Sequence, residues 1–152
     1  MAGALLVLWA VLIAQAPDTA AQARYGAAIR RVSDSLSALE GAAAMFQADL
    51  VNASPDLVIS RATRLRQHCT GTRRETGRLD SLPALGARLR RELAALRAEL
   101  ARCDREFATG PWYQRADSVK AWAPYRLARL GDAVRRFRLA ARAFMREASL
   151  RR

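Results

Sequence analysis

The sequence predicts an all-α fold, an antiparallel (up-down) four-helix bundle. From Arg24 onward, apolar residues recur at alternating intervals of three and four, the spacing that gives a helix one apolar stripe. Four segments show this pattern, and their similar lengths and short connections favour antiparallel neighbours. No segment alternates as a strand does, and 152 residues with 51% apolar side chains are enough for one domain with one core.

The first 23 residues resemble a secretory signal peptide in their composition. Residues 4–14 form an unbroken apolar run, and Ala21-Gln22-Ala23 matches the small-x-small pattern of a cleavage site. The run is shorter than the roughly 20 apolar residues of a membrane-spanning helix. We expect export to the periplasm or the cell exterior with cleavage after Ala23. The alternatives are an uncleaved N-terminal anchor that keeps the protein associated with the membrane, an apolar helix docked on a partner, and a buried helix of the domain itself.

The remainder, residues 24–152, is predicted to be a single helical domain whose first helix covers residues 24–52. Its apolar seam follows the heptad spacing at Ile29, Val32, Leu36, Leu39, Ala43, Phe46 and Leu50. Ser54 is suited to the N-cap of the next helix, and Pro55 to its first turn, where a missing N–H costs nothing. The sequence therefore predicts a helix boundary at residues 52–55.

The second and third helices are predicted over residues 55–80 and 87–109, with a turn around Pro83 and Gly86. Their seams are Val58, Ala62, Leu65, Cys69, Thr72, Thr76 and Leu79, then Leu89, Leu93, Leu96, Leu100, Cys103 and Phe107. The acids Glu92 and Glu99 are expected to pair with arginines of the same helix, Arg88 and Arg102, on a solvated face.

The fourth helix is predicted over residues 124–150, with Pro124 in its first turn. Its seam is Leu127, Leu130, Val134, Phe137, Ala141, Phe144 and Ala148. The alternative is one kinked helix from Tyr113 to Leu150 that contains Pro124 in its interior.

The two cysteines lie on facing seams, and the residue midway between them is Gly86. A hairpin centred there places Cys69 opposite Cys103. A loop centred on Pro83 and Ala84 leaves them about 7 Å apart along the axis, a gap that small loop adjustments would close. An even number of cysteines in an exported protein favours a bond as well. We predict an intramolecular disulfide, with buried free thiols or an intermolecular bridge as the alternatives.

The excess of positive charge is concentrated near the C-terminus. The chain has 26 Lys+Arg against 14 Asp+Glu, and residues 111–152 contain eleven of those bases with three acids. The candidate partner-binding arginines flank the fourth seam at Arg129, Arg135, Arg136, Arg138, Arg142 and Arg146. Such a face suits an acidic protein surface, anionic lipid or an acidic envelope polymer. Nucleic acid is not the expected partner of an exported protein, and a merely solvated face is the alternative.

Aromatic residues are concentrated between the third and fourth helices. Trp112, Tyr113, Trp122 and Tyr125 lie within 14 positions. Their amphipathic rings suit a wet interface with protein or lipid headgroups, and we include them in the candidate partner-binding set. The alternative is that these rings fold over the open end of the core.

The sequence does not predict an enzyme, a cofactor or a metal site. His68 is the one imidazole, no Glu-x-x-His pair occurs, and there is no phosphate-binding glycine loop or nucleophile elbow. We expect a non-enzymatic binding or scaffold protein of the cell envelope that docks an acidic or membrane-associated partner through its basic C-terminal helix. The alternatives are an accessory subunit of a membrane complex, held by an uncleaved anchor, and a periplasmic chaperone or apolar-ligand carrier. Seams this regular also permit an oligomer.

Overall fold

The described part of the chain is folded into four packed helices. The computed structural model describes residues 19–108 and 116–150, and these are helical and turn segments without a strand. The helices are α1 (Thr19–Asp49), α2 (Pro55–Gly77), α3 (Ala87–Glu106) and α4 (Ala116–Leu150). Each helix packs against the next, and α1 also contacts α4. The all-α prediction is confirmed, and this packing order fits a four-helix bundle.

The predicted seams form the core. All but four of the seam positions are buried, and the half-buried exceptions are Ala43, Val58, Phe144 and Ala148. Two core positions are polar, and both hydroxyls are satisfied: Thr72 Oγ1 lies 2.7 Å from Ser35 Oγ, and Thr76 Oγ1 donates to the Arg73 carbonyl at 2.6 Å. The heptad spacing therefore identified the buried face of every helix.

The boundaries of the first three helices differ from the predicted ones by a few residues. Helix α1 begins at Thr19, so residues 19–23 of the predicted signal peptide are helical, whereas the apolar run lies outside the described residues. Ser54 is the N-cap of α2, although its carbonyl accepts from Val58 and its side chain makes no capping hydrogen bond. None of the four described helices is long and apolar enough to cross a bilayer.

The predicted start of the last helix at Pro124 is wrong. Helix α4 begins at Ala116, and Pro124 lies in its interior, as in the alternative of one long helix. An interior proline removes a backbone hydrogen bond and costs about 3 kcal/mol. The apolar seam nevertheless continues upstream through Val119 and Ala123, which are both buried, and their burial offsets that cost.

We expect Pro124→Ala to raise the free energy of unfolding by about 2 kcal/mol. The exchange restores a helical hydrogen bond, which outweighs the greater freedom of the unfolded chain. Urea unfolding followed by circular dichroism measures the change. Pro55→Ala is the matched control, because Pro55 occupies the first turn of α2 and should give no gain. Equal effects of the two substitutions would contradict this account.

The disulfide prediction is confirmed. Cys69 in α2 is bonded to Cys103 in α3, with 6.3 Å between their Cα atoms. The backbone N–H groups of Arg78, Leu79 and Asp80 donate to carbonyls three residues earlier and so extend the end of α2. This extension reduces the axial offset between the two cysteines that a loop centred on Pro83 and Ala84 would leave. The bond ties the second helix to the third in the core.

Candidate functional site

The least closely packed neighbours in the bundle are α1 and α4. Hollows that open to solvent follow their interface. The larger one, which we call the basic groove, has a volume of about 650 Å³; its floor contains Ile29, Ala141 and Met145, and its rim contains Arg138, Arg142 and Arg146. The interface therefore combines apolar surface with guanidinium groups.

A second hollow, which we call the apolar groove, lies further along the same interface. It measures about 270 Å³ and is bordered by Leu39, Ala43, Leu127, Leu130 and Val134. The two hollows together are the α1/α4 groove. Leu139, which is 51% exposed, adds apolar surface beside the arginines on the outer side of α4.

Short side chains on both helices leave the groove open. Ala43 and Ala44 of α1 face Ala128 and Gly131 of α4 across the apolar groove. A Cβ atom built on Gly131 would meet nothing within 4 Å. Alanines and a glycine thus stand beside the branched side chains of this hollow, and they leave space between the two helices.

The rim arginines differ in their pairing. Arg138 crosses from α4 to α1, where Nη1 lies 2.8 Å from Glu40 Oε2 and Nη2 donates to Ser37 Oγ at 2.9 Å. Arg142 and Arg146 are exposed, one helical turn apart, and have no ion-pair partner among the described residues. Asp34 is the acid on this rim. The basic groove thus offers two uncompensated guanidinium groups.

The other predicted arginines have different surroundings. Arg129 and Arg136 turn toward α3, where they pair with Glu99 at 2.8 Å and Glu92 at 3.3 Å. The hydrogen bond to Glu99 raises the pKa of Arg129 above its usual value. Arg135 pairs with Asp132 on its own helix at 2.6 Å. The structure therefore divides the predicted arginines into those that join α4 to α3, those that border the α1/α4 groove, and Arg135, which pairs within α4.

The aromatic candidates also differ in their surroundings. Trp112 and Tyr113 lie outside the described residues. Trp122 is half-buried and packs on the core, with its ring centroid 5.3 Å from that of Phe107. Tyr125 is 62% exposed. Trp122 thus covers the end of the core, the alternative considered above, whereas Tyr125 lies at the surface with the Arg126 guanidinium 6.0 Å from the centre of its ring.

An ion pair reinforces the disulfide-linked helices. Arg66 Nε lies 2.8 Å from Asp104 Oδ1, and Thr70 Oγ1 donates to the same oxygen at 3.1 Å. The hydrogen bond from Arg66 lowers the pKa of Asp104 below its usual 3.8, against the opposing effect of burial. Because the folded-state pKa is the lower one, this stabilisation is present above pH 4 and is lost as the pH falls through that pKa.

We expect Asp104→Asn to lower the free energy of unfolding by about 1 kcal/mol at pH 7, where the carboxylate is charged. The difference from the wild type should disappear as acid protonates Asp104. Urea unfolding at a series of pH values measures it. Asp34→Asn is the control, because Asp34 is exposed and forms no ion pair in the described part of the chain. A deficit that persisted unchanged in acid would contradict the ion-pair explanation.

Neither of the two grooves includes His68, which is half-buried on α2. Within residues 19–108 and 116–150 no three His, Cys, Asp or Glu side chains are grouped so that they could hold a metal ion. No protein-family model, curated protein or solved structure matches this chain. The function is therefore argued from the α1/α4 groove itself.

Proposed function

We propose that this chain is a non-enzymatic, exported binding protein of the cell envelope, and that it docks an acidic amphipathic helix of a partner protein in the α1/α4 groove. The observation that carries the proposal is the pairing of an apolar floor with two uncompensated guanidinium groups, Arg142 and Arg146, on one rim. The disulfide is compatible with the oxidising compartment that export would provide.

The shape of the groove supports a helical occupant. Two helices form its walls, and an amphipathic helix binds such a groove by placing its apolar side against the floor. Ile29, Ala141 and Met145 supply that floor in the basic groove. Leu127 and Leu130 continue it in the apolar groove, so one occupant can contact both.

The charges support an acidic occupant with a defined direction. Arg142 and Arg146 are separated by one helical turn, the same repeat at which carboxylates of a docked helix would recur. Arginine and carboxylate form strong, often bidentate hydrogen bonds. The occupant should therefore place its acids at the C-terminal end of α4 and its uncharged, apolar part near Leu127.

The carrier alternative has less support. Large side chains such as Phe46, Phe107 and Phe137 fill the centre of the described bundle. The α1/α4 hollows are open to solvent rather than enclosed. A carrier of apolar ligands would require an internal cavity, whereas a docking protein needs an accessible apolar surface rimmed by charge.

A defined peptide tests this function. The probe is a synthetic helical peptide with leucines at heptad spacing and glutamates at one end, and its affinity is measured by calorimetric titration. Arg142→Glu with Arg146→Glu should weaken binding about 100-fold, since two charge-assisted contacts become repulsions. The control pair, Arg64→Glu with Arg105→Glu, changes two exposed arginines on α2 and α3 that have no ion-pair partner in the described structure.

The control pair should bind the peptide within about threefold of the wild type, because distant surface charges are screened. Equal weakening by both pairs would show that net charge alone attracts the peptide. Failure of the wild type to bind it would overturn the proposal. A third variant, Gly131→Leu, fills the open space at Gly131 without removing a charge and should also block binding.

A further inference from the structure

The two ends of the bundle differ strongly in charge. Contacts from Gln22 to Ala148 and from Tyr25 to Pro83 place the start of α1, the end of α4 and the α2/α3 turn at one end. This end, which we call the basic end, comprises residues 19–39, 67–95 and 131–150 and contains 14 arginines with six acids. The remaining described residues contain nine lysines and arginines with seven acids.

Ion pairing increases this difference. Eight arginines of the basic end are exposed and have no ion-pair partner among the residues that the structure describes: Arg24, Arg30, Arg31, Arg74, Arg88, Arg90, Arg142 and Arg146. Arg73 is exposed as well, but it lies close enough to Asp104 to help lower the pKa of that carboxyl. In the other described part of the bundle, the exposed cations without an ion-pair partner among the described residues are Arg64, Arg105 and Lys120. Uncompensated positive charge is thus concentrated where α1 begins and α4 ends.

We propose that the basic end is a second interaction surface, and that it binds the headgroups of an anionic membrane. All four helices contribute to it, so the charge is spread over the end of the bundle rather than along one groove. A broad planar array of phosphates complements that distribution better than a single acidic helix does. Each arginine near such a surface adds to the attraction, and salt weakens it.

The course of the chain favours lipid as the anion. Residues 1–18, which include the apolar run 4–14, are joined to α1 at the basic end. If the run remained as an anchor, the basic end would face the bilayer. Four of the exposed large apolar side chains, Met45, Val51, Leu57 and Tyr125, belong to the opposite end. Attachment through the basic end is therefore electrostatic and leaves the α1/α4 groove accessible from the side.

Vesicle binding tests this inference. The full chain is sedimented with vesicles of phosphatidylcholine alone and with vesicles of an equal mixture of phosphatidylcholine and phosphatidylglycerol. Any insertion of the apolar run contributes to binding of both kinds of vesicle, so the difference between them reports on the anionic headgroups. The wild type should prefer the anionic vesicles and lose that preference in high salt. The triple variant R74Q/R88Q/R90Q should reduce the preference about 100-fold, since each arginine contributes about tenfold or less.

The matched control is the triple variant R64Q/R105Q/K120Q, which removes the same charge from the opposite end. It should retain most of the wild-type preference. Equal losses in the two triples, or no preference in the wild type, would overturn the inference. Soluble polyglutamate is the competing probe. If polyglutamate bound and the triple variant R74Q/R88Q/R90Q weakened that binding, while the vesicles did not bind, an acidic polymer would replace lipid as the partner. Both triples keep Arg142 and Arg146, so the peptide titration described above reports on the groove independently.

Discussion

Replacing Cys69 and Cys103 together by alanine is expected to lower the free energy of unfolding by about 4 kcal/mol. The bond joins residues 34 positions apart, and without it the unfolded chain regains the freedom of that loop. Two alanines preserve small apolar side chains at core positions, so the folded helices should remain. Urea unfolding, followed by circular dichroism, measures the change.

Reduction of the wild type supplies the internal control. The reduced wild type and the double variant should unfold at similar urea concentrations, and a reductant should not affect the variant. The dependence of the unfolding free energy on urea should become steeper without the bond, because the unfolded chain then exposes more surface. If the oxidised and reduced proteins had the same midpoint, the disulfide would not be the main link between α2 and α3.

Phe46→Ala is the second substitution with a large expected effect, a loss of about 4 kcal/mol in the free energy of unfolding. The Phe46 side chain is completely buried in α1, and its ring meets that of Phe107 edge-on at 5.2 Å. Phe107 in turn contacts Trp122 of α4. The substitution therefore opens a cavity where three helices meet.

The neighbouring residue gives a matched control for this prediction. Met45 is 44% exposed, so Met45→Ala removes a large side chain from the same turn of α1 without emptying the core. Its effect should stay below about 0.5 kcal/mol. Thermal and urea unfolding of the two variants provide the comparison. Similar losses would contradict the placement of Phe46 at the centre of the aromatic contact.

The sequence predicted the helices and the disulfide well because both depend on periodic patterns. One apolar residue in each turn identifies the buried side of a helix, and two cysteines on the seams of consecutive helices face each other in a hairpin. The start of α4 is harder to predict, because a proline is typical both of a first turn and of a kink inside a helix. The seam continues upstream of Pro124 through Val119 and Ala123, and the burial of these two residues decides the outcome.

The candidate site was predictable only in part. The sequence identified the arginine-rich face of α4, but not which neighbour each arginine meets. Glu99 pairs with Arg102 as expected, and it also accepts a hydrogen bond from Arg129 of α4. Glu92 pairs with Arg136 and Arg91, and no ion pair joins it to Arg88. These partners depend on the rotation of packed helices, which a single helix pattern does not specify.

The sequence gives only a weak indication of the α1/α4 groove. Small residues recur on the sides of α1 and α4 next to their seams, as at Ala44, Ala128 and Gly131. The same residues also suit close helix packing, so the pattern alone does not distinguish an open interface from a tight one. Here the interface is open, and only the assembled helices show it.

Mapping the bound acidic peptide by photocrosslinking is the most direct test of the docking proposal. A photoreactive leucine analogue replaces one leucine of the synthetic peptide, and mass spectrometry identifies the protein residues to which it is joined. We expect crosslinks to Ile29, Ala141 and Met145 on the floor of the basic groove, and their loss in the variant with Glu at positions 142 and 146. Crosslinks concentrated on the outer faces of α2 and α3, unchanged in that variant, would contradict docking in the α1/α4 groove.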